Sequence, residues 1–138
     1  MILKNVEALL GQRPFTTLPP DATVRTASET MARANERAAL VTEADAVLGI
    51  LSERDIVHGC LATGMNPDAT PVSAVMTADP ITIDAADTVA HAIEKMLKGG
   101  FHHLPVLKDG AAIGTLYSDD IPEEYRLLLE HFRELRQP

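Results

Sequence analysis

The sequence predicts an α/β (α+β) fold in which two β-α-β-β-α repeats pack sheet to sheet with pseudo-twofold symmetry. Three observations carry this expectation. Sliding the chain by 65 residues lays residues 17–56 on residues 82–121 without a gap, and eleven of the forty pairs are identical, among them Thr17/Thr82, Val24/Val89, Met31/Met96, Gly49/Gly114 and Asp55/Asp120. Within each copy the apolar spacing changes from helical to alternating in the same order. A length of 138 residues with 46% hydrophobic content supports a core without disulfides or a structural metal. The expected division is residues 1–70, the first repeat with a lead segment, and residues 71–138, the second repeat with a C-terminal helix.

Each repeat opens with a short extended piece, Phe15-Thr16-Thr17-Leu18 or Pro80-Ile81-Thr82-Ile83, ended by a turn rich in Pro, Asp and Ala. A helix follows, with Asp21 or Thr23 as its cap in the first copy and Asp87 or Thr88 in the second. Val24, Ala27, Met31 and Ala34 recur at helical spacing, as do Val89, Ala92, Ile93 and Met96. Asn35 stops the first helix and Gly99-Gly100 the second. Two strands joined by a tight turn come next, 38–42 to 47–52 and 103–107 to 112–117. Lys108-Asp109-Gly110 marks one of these turns, because glycine accepts positive φ. A second helix closes each repeat, from Glu53 to about Ala62 with Gly64 beyond its end, and from Ile121 to about Leu135. The last helix places Ile121, Tyr125, Leu128, Leu129, Phe132 and Leu135 on one face, a stripe suited to core closure and to self-association. A unit of this size cannot cover both faces of its own sheet, so the two are expected to share one core.

Composition excludes several functions. Twelve Lys and Arg against twenty Asp and Glu leave a net charge of −8, which repels phosphate backbones and disfavours nucleic acid as a partner. Aromatic residues are 4% and Trp is absent, which disfavours a platform for stacked bases. Cys60, the single cysteine, can form neither an internal disulfide nor a thiolate metal site, and its helical apolar setting reads as a buried, inert thiol. No segment has the form of a signal peptide and no run approaches the ~18 apolar residues of a membrane span, so the expected location is cytoplasmic. No nucleophile paired with a base, metal cluster or phosphate-cradling Gly-rich loop is visible. The chain therefore reads as a non-enzyme with no obligatory cofactor and no metal.

Ser52-Glu53-Arg54-Asp55 stands where a strand meets a helix start. Ser-x-x-Asp is a capping box that satisfies orphan backbone donors. The same exposed N–H groups and positive dipole end favour a ligand's negative charge, so the residues leave both readings open. Arg37 and His102 occupy equivalent places just before the second strand of each repeat. A metal pair at His102-His103 is disfavoured, because adjacent strand residues point to opposite faces. The second repeat departs from the first: Tyr117 stands at the place of Ser52, and Asp119 at the place of Arg54. Asp119 repels a phosphate that Arg54 attracts. Asp120-x-x-Glu123, with Pro122 early in the helix, makes Asp120 a plain N-cap.

Gly49-Ile50-Leu51-Ser52-Glu53-Arg54-Asp55-Ile56, then Pro71-Val72-Ser73-Ala74-Val75-Met76-Thr77, then Phe101-His102-His103-Leu104-Pro105-Val106 together resemble a tandem cystathionine-β-synthase (CBS) domain pair, or Bateman module. The resemblance covers residues 3–129. It implies a stand-alone regulatory module that binds an adenosyl ligand in the cleft between repeats and signals to a partner protein in trans. The implied ligand is AMP, ADP or ATP, with NAD or S-adenosylmethionine as alternatives, and the implied assembly is a homodimer formed through the second helices. The implied nucleotide-binding residues are Thr17, Arg37, Ser52, Arg54, Asp55, Thr82, His102, His103 and Asp120. Among them Asp55 takes the ribose hydroxyls, Ser52 lies near ribose and phosphate, and Arg37 and His102 meet phosphate oxygens. The departures in repeat 2 lead to an expectation of one nucleotide per chain, held chiefly by repeat 1. The alternative is a ligand-free homodimeric scaffold that keeps the fold and has lost the site.

Overall fold

The computed structural model describes residues 5–125, 127 and 131. In chain order the elements are α1 (Val6–Leu10), β1 (Thr17–Leu18), α2 (Val24–Ala34), β2 (Ala38–Glu43), β3 (Ala46–Ser52), α3 (Glu53–Asp55), β4 (Thr77–Ala78), β5 (Ile83–Asp84), α4 (Val89–Gly99), β6 (His103–Lys108) and β7 (Ala111–Tyr117). One sheet has the order β1-β2-β3-β4 and the other β5-β6-β7. The duplication is visible in the hydrogen-bond register. Val41 faces Gly49 and Ala38 faces Ser52 in one hairpin; Val106 faces Gly114 and His103 faces Tyr117 in the other. Both hairpins shift register after the same residue, Val41 and Val106, so even the irregularity is repeated.

Local chemistry sets the element ends. Thr23 and Thr88 cap α2 and α4, their Oγ1 atoms accepting from Thr26 N at 3.1 Å and His91 N at 3.0 Å. Asp87 instead holds the neighbouring Thr88 N and the His91 ring. Asn35 and Gly100 end these helices in the left-handed region, φ 53° and 68°. The hairpin turns Ala44-Asp45 and Asp109-Gly110 have positive φ at all four positions, the backbone that two-residue hairpin turns require.

The second helices differ from expectation. After α3 the chain continues as a π-helical segment (Ile56–Leu61), with Ala62 N bonding Val57 O at 2.8 Å and Met65 N bonding Cys60 O at 3.0 Å. In the second repeat Ser118–Asp120 form a 3₁₀ turn and Ile121 is extended, with φ −84° and ψ 123°. Helix resumes at residues 123–125. Ile121 therefore does not open the last helix: a residue before proline is pushed out of the α region, and Pro122 follows it. Leu128, Leu129, Phe132 and Leu135 lie outside the described residues.

The interior divides into three clusters where one shared core was expected. Val24, Ala27, Met31, Val41, Leu51 and Cys60 fill the first, under α2. Ile83, Val89, Ile93, Leu104, Val106 and Leu116 fill the second, under α4. Ala38, Leu40, Ile50 and Tyr117 lie between the sheets. Alternation along β2 explains the pattern: Ala39 and Val41 face the helices while Ala38 and Leu40 face the other sheet, so its apolar run is buried on both sides.

The lead segments are exchanged. Val6 and Leu10 of α1 belong to the second core, and Val72, Val75 and Met76 to the first. Val6 N bonds Asp87 O at 2.9 Å and Val72 N bonds Ala22 O at 2.7 Å. These equivalences run at an offset of 66, not 65, because the second lead is one residue shorter. An ungapped comparison misses them, and neither α1 nor β4 was expected.

Candidate functional site

The site is built where β3 runs into α3 and where β7 runs into its 3₁₀ turn. Ser52 Oγ accepts from Asp55 N at 3.1 Å, while Asp55 Oδ2 accepts from Ser52 N at 2.9 Å and from Ser52 Oγ at 3.0 Å. The capping box is thus formed, and it uses one carboxylate oxygen; no described residue bonds Asp55 Oδ1. The residue before each central strand is tied to the helix start behind it. Glu53 N donates to Arg37 O at 3.0 Å and Ser118 N to His102 O at 2.9 Å, the same bond 65 residues on. Each tie fixes the junction of its own repeat, and the packing of the two repeats sets both junctions on one cleft of about 430 Å³.

Arg37, Arg54, His102 and His103 place four nitrogen-bearing side chains around this cleft, with Glu53 and Asp119 as its carboxylates and Ser52 and Ser118 as its hydroxyls. His102 and His103 share it because His102 stands one residue before β6, where strand alternation does not apply. Burial, and then the cations Arg37 and His102, hold the His103 pKa below its ordinary 6.5, against the opposing pull of Asp55 and Glu53. Among the described residues no group of three His, Cys, Asp or Glu side chains is placed to hold a metal ion. Of the expected residues, Arg37, Ser52, Arg54, His102 and His103 line the cleft, with Asp55 bonded to Ser52 at its edge. Thr17 stands on β1, and Thr82 lies beside β5 with its carbonyl accepting from Lys95 Nζ at 2.7 Å; neither lines the cleft.

Asp120 has a different environment from Asp55. Arg13 grips it with both arms, Nη1 to Oδ1 at 2.6 Å and Nη2 to Oδ2 at 2.5 Å, and Nη2 also donates to Thr115 O at 2.8 Å. Tyr117 N donates to Asp120 Oδ2 at 2.6 Å. Asp120 therefore caps the 3₁₀ turn and holds Arg13, where the sequence suggested a cap on the final helix. Tyr117 lies inward between the sheets. Its hydroxyl donates to Glu36 Oε2 at 2.5 Å, and Arg37 and Arg13 stand 5.1 and 5.7 Å from its ring centre. Burial, reinforced by Glu36, pushes the phenol well above its ordinary range, so it stays a donor. Arg37 pairs with Asp119 at 2.9 Å. Arg13 was not foreseen. The signal available was the adjacent pair Asp119-Asp120, two carboxylates side by side.

The CBS domain model matches residues 6–61 and again residues 72–125. The chain belongs to the CBS domain family. Two CBS domain-containing proteins of Arabidopsis thaliana, CBSCBSPB3 and CBSCBSPB5, are 39% and 41% identical over 101 and 102 residues, 72% of this chain in each case. The chain spans 18% of the length of those two curated relatives. Among solved structures, a CBS domain protein from Pyrobaculum aerophilum complexed with AMP superposes with a TM-score of 0.81 at 27% identity, covering 92% of this chain and 98% of that one. A CBS-domain containing protein from Agrobacterium tumefaciens superposes at 0.78 with 30% identity, covering 91% and 95%. The chain is thus a CBS pair, and no helix among its described residues is long and apolar enough to cross a membrane.

Proposed function

We propose that this CBS pair binds one adenine nucleotide in the inter-repeat cleft and passes the bound state to a partner protein in trans. The observation that carries this reading is the convergence of Arg37, Arg54, His102 and His103, from both repeats, beside a carboxylate that keeps one oxygen unpartnered. The two guanidiniums and the imidazole N–H groups suit phosphate oxygens, and Asp55 Oδ1 suits the ribose hydroxyls. The cleft volume of about 430 Å³ falls within the usual range for small-molecule sites. The AMP complex of the P. aerophilum protein supports the same ligand class.

Calorimetric titration with AMP, ADP and ATP tests it. Removing the diol acceptor in Asp55→Ala leaves ribose hydroxyls unpaired and weakens binding about 10- to 100-fold, or about 1–3 kcal/mol. Equal affinity in the variant and the parent defeats the assignment. A second reading, a ligand-free homodimeric scaffold, is favoured by the internal pairing of Arg37 with Asp119 and of Arg13 with Asp120. Thermal shift separates the two: a ligand at 100 times its Kd stabilises the folded chain by about 2.7 kcal/mol, and a scaffold gains nothing.

A further inference from the structure

The pseudo-twofold relation turns the two half-sites into a controlled comparison. Three polar contacts cross from repeat 1 to repeat 2 beside Asp120: Arg13 with Asp120, Arg37 with Asp119, and Glu36 with Tyr117. Arg13 lies in the lead segment, where the offset is 66, so its place holds Asp79, set against Asp55; moved by 65, the other two places hold His102 with Arg54 and Phe101 with Ser52. None of those pairs can form the corresponding bond. The difference falls on one atom. Each aspartate accepts from the backbone N of the residue three before it through Oδ2, at 2.9 Å for Asp55 and 2.6 Å for Asp120. Among the described residues Asp55 Oδ1 is unpartnered, whereas Asp120 Oδ1 and Oδ2 are both held by the Arg13 fork. The guanidinium is further fixed by Thr115 O, so its orientation is set from two directions.

We propose that Arg13 is a built-in occupant of the second half-site: its guanidinium takes the Asp120 carboxylate that would otherwise accept the hydroxyls of a second nucleotide. Asp119 completes the closure by setting a negative charge where repeat 1 has Arg54, and by drawing Arg37 to itself. Tyr117 plays no blocking part, since its side chain is 8% exposed and lies between the sheets. The module is thereby made asymmetric, with one open site and one closed by the chain itself. This inference rests on the nucleotide reading of the cleft.

The test counts nucleotides by titrating AMP into the full chain and into Arg13→Ala/Asp119→Arg, both changes lying at least partly in solvent. The double variant binds one AMP more than the parent, and adding Asp120→Asn abolishes the extra event. A variant with the parent's far-UV circular dichroism and the parent's stoichiometry overturns the inference. Should the double variant not fold, Arg13→Gln alone is read the same way: a gained binding event supports the occupant role, and its absence refutes it. The parent's own count tests the nucleotide reading separately, because zero sites in the parent defeats that reading while the difference between variant and parent still decides the role of Arg13.

Discussion

His103 is a cleft group whose titration the fold shifts. In the unfolded chain its ring titrates near 6.5, while burial and the cations Arg37 and His102 lower that value in the folded chain. Below 6.5 the unfolded state therefore binds the extra proton more readily, and stability falls as pH drops from 6.5 towards the folded-state value. Denaturant unfolding at several pH values between about 7.5 and 5.5 should show this decline, and His103→Gln should flatten it. An unaltered pH slope in the variant would assign the decline to another group. Bound phosphate reverses the sign. Its negative oxygens should raise the His103 pKa, so the proposed AMP binding should take up more protons in the parent than in His103→Gln, the phosphate's own second pKa of about 6 acting alike in both. Calorimetry in two buffers of different ionisation enthalpy detects that uptake.

At the scale of elements, the two hairpins share one register and spend different residues on it. Both residues of the first turn are non-glycine with φ of 51° at Ala44 and 67° at Asp45, whereas the second turn has Gly110 at 82°. The left-handed region costs a side chain about 1–2 kcal/mol. Ala44→Gly should therefore raise stability by up to about 1 kcal/mol, read as a shifted urea midpoint with an unchanged slope. Gly49 and Gly114, opposite Val41 and Val106, are where the exchanged lead segments cross the strands. A Cβ at Gly49 meets the Met76 side chain and the Thr77 carbonyl oxygen at 2.9 Å, while one at Gly114 meets only the Leu10 side chain, Cδ2 at 2.8 Å. Backbone cannot step aside as a leucine tip can. Gly49→Ala should cost about 1–3 kcal/mol and Gly114→Ala clearly less, so equal losses would show that both crossings give way alike.

For the whole molecule, the exposed apolar side chains point to self-association. Val57, Leu61 and Met65 recur four residues apart and are 49%, 53% and 38% exposed, while Ile56 and Cys60 beside them are buried. The helix thus divides its apolar residues between a core face, Ile56 and Cys60, and an outer face, Val57 and Leu61. A contact about a twofold axis needs only one such patch on each chain. Light scattering should give about twice the chain mass of 14.9 kDa for the parent and a single chain for Leu61→Glu. Since Leu61 is more than half exposed, the variant keeps its fold, and a parent that runs as a single chain removes the dimer proposal.

Much of the fold was legible because its causes are short-range. Thr23, Asn35, Thr88 and Gly100 act within one helical turn, the hairpins follow from alternation and turn residues, and the duplication shows that each repeat carries its own instructions. The capping box at Ser52 and Asp55 is local too, as is each strand–helix junction, tied by a backbone bond that repeats at the same offset, whereas the meeting of Arg37 and Arg54 with His102 and His103 needs the two repeats packed together. What remained hidden depends on contacts between residues far apart in sequence. The exchange of α1 with residues 72–76 depends on each lead segment finding the other repeat's open sheet face, and a one-residue difference in length conceals it from an ungapped comparison. Arg13 and Asp120 are 107 positions apart. No periodicity or spacing links them; they meet because packing the two sheets together brings a partly buried carboxylate of the second repeat beside a guanidinium from the first, and a partly buried charge must be paired.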